Sequence, residues 1–283
     1  MTQPRTCLIT GANTGIGEVT ARELLRADWD VVLACRSRER AEAAAKRMAE
    51  ATGRDAPPIL DLDLGSLRSV RDAAHRFLDE GRPLHCLINN AGVAGFRGQT
   101  EDGFELAFGV NHLGHFLFTR LLTPRLVESA KDGPVARVVN VASRAHQRTR
   151  RFNLDRVKEP TRTVTGYPEY AVSKLANVLF SARLALELKD QRVHSFSLHP
   201  GVVASDVWRR VPAPIRALMK RFMITNEEGA LTTLHCATAD GLATGTYFSE
   251  SAPKQTGRLA RRVDYRDDLW ARSEEWCSEF LDG

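Results

Sequence analysis

Short runs rich in Val, Ile and Leu alternate with helical patterns along most of the chain. Continuous apolar runs of this length are typical of strands buried on both faces, and a parallel sheet with right-handed helical crossovers buries its strands in that way. The sequence therefore predicts an α/β fold, a single doubly wound domain in which helices cover both faces of a mainly parallel seven-stranded sheet.

The alternation also predicts where the elements lie. We expect strands at residues 5–10, 30–35, 57–61, 84–89, 136–142, 193–198 and 245–248. Helices are expected between them, at residues 16–27, 38–51, 67–80, 104–129, 168–189 and 227–238, with a short one at 268–281. Neither a repeat nor a linker interrupts this order, so residues 1–283 are expected to form one domain.

Two stretches depart from the alternation. Residues 144–166 are polar and arginine-rich and are expected to form a surface loop after the fifth strand. Residues 202–226 follow the sixth strand and carry apolar residues at near-helical spacing. Because ligands bind outside the carboxyl ends of such strands, we expect 202–226 to be a substrate lid. The alternative is an amphipathic helix packed on the core. As a lid, 202–226 would contact the substrate through Trp208, Met219 and Phe222.

Composition narrows the class of protein. The net charge of +5 comes from scattered short arginine clusters, which favour a mildly basic solvated surface and a phosphate-bearing ligand over nucleic acid. The five cysteines show no C-x-x-C pairing, so we expect reduced core thiols and no metal site. No apolar run approaches the ~20 residues that span a bilayer. We therefore expect a cytoplasmic protein without a membrane anchor.

A glycine-rich turn follows the first strand, at residues 11–17. Gly11, Gly15 and Gly17 let the backbone turn tightly and approach a pyrophosphate, while the next helix offers its free N–H groups to the anion. This predicts a Rossmann-type dinucleotide site; the alternative is a glycine turn without a ligand. The other residues expected to contact the cofactor in this turn are Asn13, Thr14 and Ile16.

The end of the second strand indicates which dinucleotide binds. NAD-specific sites usually place an acidic residue there, on the ribose 2′-hydroxyl. Here Arg36 takes that place, with Arg38 close behind. Because guanidinium groups bind phosphate bidentately, this favours NADP(H) over NAD. The alternative is that Arg36 is a solvated residue at the start of a helix.

The Gly-x-x-x-Gly-x-Gly spacing and a Tyr170-x-x-x-Lys174 pair together resemble the short-chain dehydrogenase/reductase family. The resemblance extends from Cys7 to about Leu281. Within the family the sequence is most similar to the retinol dehydrogenase-like, NADP-dependent branch. The segments that carry this are residues 11–17, 34–36, 110–116, 170–177, 199–203 and 245–248.

The resemblance implies further cofactor contacts. Asp63 and Leu64 match the pair that brackets the adenine ring, and residues 89–92 match the Asn-Asn-Ala-Gly signature that lines the cofactor through Asn90, Ala91 and Gly92. Residues 199–201 match the turn that meets the nicotinamide, which implies contacts from Pro200, Gly201, Val203 and Ser205. Ser205 stands where the family usually has a threonine and keeps the hydroxyl.

The resemblance also implies the catalytic residues, which are Asn111, Ser143, Tyr170 and Lys174. Tyr170 exchanges a proton with the substrate oxygen, and the charge of Lys174, one helical turn away, favours its phenolate. Ser143 hydrogen-bonds the same oxygen, and Asn111 holds a relay water. Tyr170 and Lys174 would also contact the cofactor. Taken singly, Ser143 could be a helix cap, Lys174 a surface charge and Asn111 a core polar residue.

The expected function is oxidoreduction: hydride transfer between NADP(H) and a carbonyl or alcohol of a mainly apolar small-molecule substrate. Two alternatives stay open, an NADPH-dependent reductase of a carbon–carbon double bond and a non-catalytic NADP(H)-binding sensor. Family analogy implies a homo-oligomer that pairs through its long helices.

Overall fold

The protein, analysed as a computed structural model, is described over residues 4–131, 133–201 and 224–281. Its strands form one sheet in the order β3-β2-β1-β4-β5-β6-β7-β8. They are β1 (Thr6–Thr10), β2 (Asp30–Cys35), β3 (Ile59–Asp61), β4 (Cys86–Asn89), β5 (Ala136–Val141), β6 (Val193–His199), β7 (Tyr247–Ser249) and β8 (Ala252–Pro253).

The sheet is parallel from β3 to β7 and ends on an antiparallel pair. Ile9 is in register with Leu33 on one side and Ile88 on the other, and Phe248 of β7 pairs with Pro253 of β8. The predicted α/β class and doubly wound fold are confirmed. The eighth strand was not predicted, since two residues are too few to show a period.

Helices cover both faces of this sheet. They are α1 (Gly15–Arg26), α2 (Arg38–Thr52), α3 (Leu67–Asp79), α4 (Leu106–Phe108), α5 (Gly114–Ala130), α6 (Tyr167–Glu187), α7 (Asn226–Thr238) and α8 (Val263–Leu281). One apolar cluster joins the sheet to α1, α2 and α7, and a second joins it to α3, α5, α6 and α8. Strands buried on both faces explain the continuous apolar runs of the sequence.

The helix predicted at residues 104–129 is interrupted. It begins at α4, passes through a π-helical turn (Gly109–Leu113) and continues as α5. Glu105 starts it by accepting the N–H of Phe108 at 2.9 Å. Turns of this kind shift the backbone hydrogen bonds by one residue and often lie at functional sites. Asn111 lies in this one.

Residues 144–166 are not simply the surface loop that their polarity predicts. They contain two 3₁₀ turns, Arg144–Arg148 and Leu154–Lys158. Phe152, Leu154 and Val157 are buried in the apolar cluster that also contains α6 and α8. The arginines obscure this pattern because they stand between apolar residues without a regular period.

All five cysteines are free and buried, as the spacing predicted. No helix in the described ranges is long and apolar enough to cross a bilayer. The predicted lid at 202–226 lies, apart from residues 224–226, outside the part of the chain that the structure describes.

Candidate active site

The predicted site residues gather at the carboxyl ends of the parallel strands. The strand order reverses between β1 and β4, and in doubly wound sheets the crevice outside the carboxyl ends of such strands binds the ligand. The glycine turn follows β1 and the Asn-Asn-Ala-Gly segment follows β4, while Ser143 follows β5 and Pro200 follows β6. The topology thus brings together residues that are far apart in sequence.

Close backbone approach explains two of the three glycines. Gly11 has φ +66°, and a Cβ there would lie 2.9 Å from the Cα of Ala91. A Cβ at Gly17 would lie 2.5 Å from Nδ2 of Asn90 and 2.6 Å from the carbonyl oxygen of Gly11. Any larger residue would push the turn away from the loop after β4. The glycines therefore shape a backbone cradle at the start of α1.

The N-terminus of α1 is left open at this cradle. Thr14 occupies the N-cap position, yet its side chain makes no capping hydrogen bond. The first N–H groups of a helix have no partner within the helix, so they are available to an anion. Glu18 in the first turn is bound bidentately by Arg47, at 2.8 and 2.9 Å, which offsets its negative charge. A pyrophosphate therefore fits this end of α1.

The Thr10 hydroxyl joins the glycine turn to the loop after β4. It accepts the N–H groups of Asn90 and Ala91, at 2.9 and 3.0 Å, and lies 2.8 Å from Nε2 of His115. His115 Nδ1 is 3.0 Å from the carbonyl of Asn111, which can only accept. Burial lowers the pKa of His115 to about 4. The neutral ring is therefore protonated on Nδ1, and Thr10 donates to Nε2.

The two arginines after β2 differ in their contacts. Arg38 is paired with Asp61, NH2 to Oδ2 at 3.1 Å, and lies 3.6 Å from Glu42. Arg36 is exposed and has no hydrogen-bond or ion-pair partner among the described residues. Since a bound phosphate would compete with carboxylates only at Arg38, Arg36 is the better placed of the two to read a 2′-phosphate.

Asp63 and Leu64 lie in the turn after β3. The Asp63 carboxylate accepts the N–H of Gly65 at 2.9 Å, which fixes the turn. Leu64 is buried, and its carbonyl oxygen would lie 2.5 Å from a Cβ at Gly114. This contact holds the turn against the start of α5, at the edge of the sheet where the resemblance places the adenine.

Tyr170 and Lys174 lie one turn apart on α6. The Lys174 ammonium is buried, donates to the carbonyl of Val141 at 2.8 Å and lies 5.7 Å from the centre of the Tyr170 ring. Burial lowers the pKa of Lys174 to about 8. Burial raises the pKa of Tyr170 to about 12, against the hydrogen bond with Ser143, which lowers it. At neutral pH the phenol is protonated and the lysine is charged.

Ser143 begins the first 3₁₀ turn after β5. Its hydroxyl accepts the N–H of Ala145 at 3.1 Å and is also hydrogen-bonded with Tyr170. It is therefore the helix cap that the alternative interpretation proposed, and at the same time a neighbour of the phenol. The two roles are compatible, because a hydroxyl that accepts one N–H keeps its proton to donate.

Asn111 lies deeper than the proton-relay prediction implies. Its Nδ2 donates to the carbonyl of Val93 and to Oγ of Ser173, at 3.0 and 2.9 Å, and its Oδ1 accepts the N–H of Val93 at 2.7 Å. Both amide protons are therefore used within the protein, and Oδ1 keeps one acceptor position. A Cβ at Gly92 would lie 3.2 Å from Oδ1 and 3.5 Å from Nζ of Lys174.

The turn after β6 lies on the substrate side of the site. Pro200 and Gly201 follow β6, and Gly201 has φ +99°, a conformation that favours glycine. Ile224 lies beside Gly201, since its Cδ1 would be 2.2 Å from a Cβ there. Outside the described residues lie Val203, Ser205, Trp208, Met219 and Phe222.

Sequence reasoning missed three residues that organise this site. Thr10 and His115 were not assigned a role in the cofactor loop, and His146 was overlooked inside the arginine-rich stretch. The carbonyl of Ser143 lies 2.6 Å from Nδ1 of His146, whose Nε2 accepts the N–H of Gly257 at 3.0 Å. No motif marks these contacts, because their partners, apart from the Thr10–His115 pair, are backbone groups. Within the described ranges, no cluster of His, Cys, Asp and Glu could hold a metal.

The family model described as "short chain dehydrogenase" matches residues 5–154. Retinol dehydrogenase 12 of Mus musculus is 42% identical over 268 residues, covering 93% of this chain and 83% of that protein. Dehydrogenase/reductase SDR family member 13 of Bos taurus is 41% identical over 282 residues, covering 96% and 72%. The predicted resemblance to the retinol dehydrogenase-like branch is thereby confirmed.

Solved structures with a similar fold include two whose sequences are more than 25% identical to this chain. An uncharacterized protein from Mycobacterium Paratuberculosis has a TM-score of 0.77 at 34% identity, covering 97% of this chain and 93% of its own. RhlG of Pseudomonas aeruginosa, in an active-site complex with NADP, has a TM-score of 0.70 at 26% identity, covering 87% and 94%. The prediction of an oxidoreductase is confirmed: the chain belongs to the short-chain dehydrogenase/reductase family.

Proposed function

We propose that this protein transfers a hydride between NADP(H) and the carbonyl or alcohol carbon of a mainly apolar substrate, with Tyr170 as the general acid and base. The observation that carries this is the group formed by Ser143, Tyr170 and Lys174. A phenol, a hydroxyl and a buried ammonium meet at the carboxyl edge of the sheet, beside a cradle suited to a dinucleotide.

The protonation states favour Tyr170 as a proton donor. With its pKa near 12 the phenol keeps its proton at neutral pH, while Lys174, with its pKa near 8, is charged. The Lys174 charge stabilises the phenolate that forms when Tyr170 gives its proton to a carbonyl oxygen. Ser143 donates a hydrogen bond to that oxygen as negative charge develops on it. When bound, the nicotinamide supplies the hydride for reduction or accepts it in oxidation.

Asn111 is proposed to support this proton path. Its side chain ties the loop after β4 to α6 through Val93 and Ser173. Among the side-chain atoms of Asn111, only Oδ1 has an acceptor position left for a relay water. This makes Asn111 first a positioning group and second a relay group.

The cofactor is proposed to be NADP(H), held by the glycine cradle and the first turn of α1. Support comes from the unpartnered guanidinium of Arg36, which stands where a NAD site usually carries a carboxylate. The further contacts proposed are those of Asn13, Thr14, Ile16, Asp63, Leu64, Asn90, Ala91, Gly92, Pro200 and Gly201. For Val203 and Ser205 the proposal rests on the sequence alone.

The substrate is proposed to be a bulky apolar aldehyde, ketone or alcohol. Support comes from relatives named retinol dehydrogenase that share about 42% of the sequence over most of both chains. Trp208, Met219 and Phe222 are proposed from the sequence to contact it as part of a lid at 202–226. Five reduced, buried cysteines suit a cytoplasmic enzyme, and the half-exposed Leu186 on α6 suits pairing of that helix in a homo-oligomer.

The test is turnover by purified protein. NADPH and NADH oxidation would be followed with a panel of aldehydes and ketones, from short aliphatic aldehydes to retinal and steroid ketones. The proposal predicts oxidation of NADPH in preference to NADH, with kcat/KM rising with the apolar area of the substrate. No oxidation with any carbonyl, and no NADP reduction with the matching alcohols, would contradict it.

A further inference from the structure

His146 lies three residues after Ser143 and is 1% exposed. Both of its ring nitrogens are hydrogen-bonded to the backbone. Nδ1 lies 2.6 Å from the carbonyl oxygen of Ser143, and Nε2 lies 3.0 Å from the amide nitrogen of Gly257. The ring therefore bridges the start of the first 3₁₀ turn and the segment after β8, where Gly257 is 111 residues from His146.

The two partners fix the protonation state of the ring. The Gly257 N–H can only donate, so Nε2 carries the lone pair. The Ser143 carbonyl can only accept, so Nδ1 carries the proton. Burial lowers the pKa of His146 and keeps the ring neutral. Protonation at Nε2, or the other neutral tautomer, would break the bond to Gly257.

Further contacts hold the same turn. The His146 ring meets the ring of Tyr247 edge-on, with centroids 5.0 Å apart. Gly257 passes so close that a Cβ there would lie 3.1 Å from the Cα of Gln147. Arg144 binds Glu250 at 2.6 Å. The turn is therefore clamped to the edge of the sheet at β7 and β8.

The clamped turn also carries the N–H group that contacts the Ser143 hydroxyl. The hydroxyl accepts the N–H of Ala145, which lies between Ser143 and His146 in the same turn. A change in the ψ angle of Ser143 would turn its carbonyl and carry the Ala145 N–H away from the Ser143 hydroxyl. The bond from His146 to the carbonyl of Ser143 opposes that rotation directly.

We propose that His146 is a positioning residue that holds Ser143 in the orientation needed to donate to the substrate oxygen. The inference rests on the proposed function, in which Ser143 binds that oxygen. His146 is buried with both ring nitrogens bonded to backbone groups, so the proposal assigns it no contact with substrate or cofactor. Its effect on the reaction is expected to pass entirely through Ser143.

Kinetics of three variants test this. His146→Ala should lower kcat for carbonyl reduction on the order of 10- to 100-fold, the scale of a misplaced reacting group, while the Kd for NADPH stays unchanged. His146→Asn keeps a donor near the position of Nδ1 and should recover most of the lost kcat. His85→Ala is the matched control, because His85 also accepts a backbone N–H, that of Thr6, but at the amino ends of the strands, away from the site.

A double-mutant cycle separates positioning from general stability. In a Ser143→Ala background, His146→Ala should lower kcat less than about twofold, since the group that it positions is already gone. If the two losses instead multiply, His146 acts independently of Ser143 and the proposal is wrong. The same conclusion follows if His146→Ala and His85→Ala lower kcat equally.

A measurement that needs no turnover tests the clamp itself. Nitrogen NMR of ring-labelled histidine should show that Nδ1 of His146 is protonated and Nε2 is unprotonated. A proton on Nε2 in the wild-type protein would contradict the hydrogen bond from Gly257 to His146, whatever the activity. Wild-type protein inactive on every carbonyl and alcohol would contradict the proposed function, whereas the NMR result would still decide the arrangement of His146.

Discussion

The cofactor side and the proton-transfer side of the site are built on opposite principles. The cofactor side leaves donors open: α1 begins without a side-chain cap, and Arg36 has no partner among the described residues. On the proton-transfer side polar groups are bonded within the protein, as in the Lys174 ammonium on Val141 and the His146 ring between Ser143 and Gly257. A polyanion needs donors that are still free, whereas proton transfer needs groups held in one place.

The two sides also differ in the burial of their charged side chains. Arg36 is exposed, while Lys174 is buried and its pKa falls to about 8. Substitutions on the cofactor side should therefore change binding, and substitutions on the proton-transfer side should change the rate. The following predictions test that division.

The largest effect is expected at Tyr170. Tyr170→Phe removes the acid and should lower kcat by at least ~100-fold, the usual scale for a lost general acid. The ring stays in place, so the Kd for NADPH should stay within about twofold. Steady-state kinetics and fluorescence titration with NADPH measure the two quantities. Wild-type turnover in this variant would remove Tyr170 from the reaction.

Lys174→Met should lower kcat by about 100-fold as well, because the charge that stabilises the phenolate is lost. The same substitution should not lower the free energy of unfolding at neutral pH, because it also removes a buried charge. The pKa of Lys174 is about 8 in the fold and near ~10.4 in an unfolded chain, so the cost of burying its charge is full below pH 8 and disappears toward pH ~10.4. At pH 7 the variant should melt no lower than the wild type.

The stability difference between Lys174→Met and the wild type should then shrink as the pH rises above 8. Thermal melts at pH 7 and at pH 9.5 or so measure it. A variant that melts several degrees below the wild type at pH 7 would show that the bond from Lys174 to Val141 outweighs the burial of its charge.

On the cofactor side, Arg36→Asp should weaken NADPH binding by about 1.5–3 kcal/mol, since a charge-assisted bond is lost and repulsion is added. NADH binding should hold or improve. Arg38→Ala is the matched control and should change both affinities little, because Arg38 is already paired with Asp61. Equal weakening of NADPH and NADH by Arg36→Asp would show that Arg36 does not read the 2′-phosphate.

The smallest expected effect is that of Gly17→Ala, about 1–3 kcal/mol of stability from overpacking against Asn90 and the carbonyl of Gly11. NADPH binding should weaken with it, while kcat at saturating NADPH should change less. Gly65→Ala is a milder comparison, since its Cβ would lie 3.3 Å from a side-chain oxygen. Equal denaturation midpoints for the two variants would argue against a tight cradle.

The cofactor side could be predicted from the sequence because its information is local. Gly11, Gly15 and Gly17 stand within seven residues, and their spacing carries the chemistry. The strands were predicted almost to their ends for a similar reason, as with residues 136–142 against Ala136–Val141. Burial on both faces of a parallel sheet produces an unbroken apolar run that needs no knowledge of its neighbours.

The proton-transfer side could be predicted only through family resemblance. The residues that hold its catalytic groups in place could not be predicted at all. His146 accepts the backbone N–H of Gly257, 111 residues away, and a backbone donor leaves no mark on the sequence. The π-helical turn at Gly109–Leu113 lies within a stretch that reads as one continuous helix. Residues 144–166 were misjudged because the arginines and other polar residues around Phe152, Leu154 and Val157 hide a buried face.

The central claim is that hydride passes between the nicotinamide and a carbonyl carbon, and isotope transfer tests it most directly. NADPH deuterated at the reactive carbon of the nicotinamide would be incubated with the protein and an apolar aldehyde that also contains a carbon–carbon double bond. The account predicts one deuterium on the carbinol carbon of the product alcohol, found by mass spectrometry and NMR. Deuterium on a carbon of the former double bond, or none in any product, would contradict it.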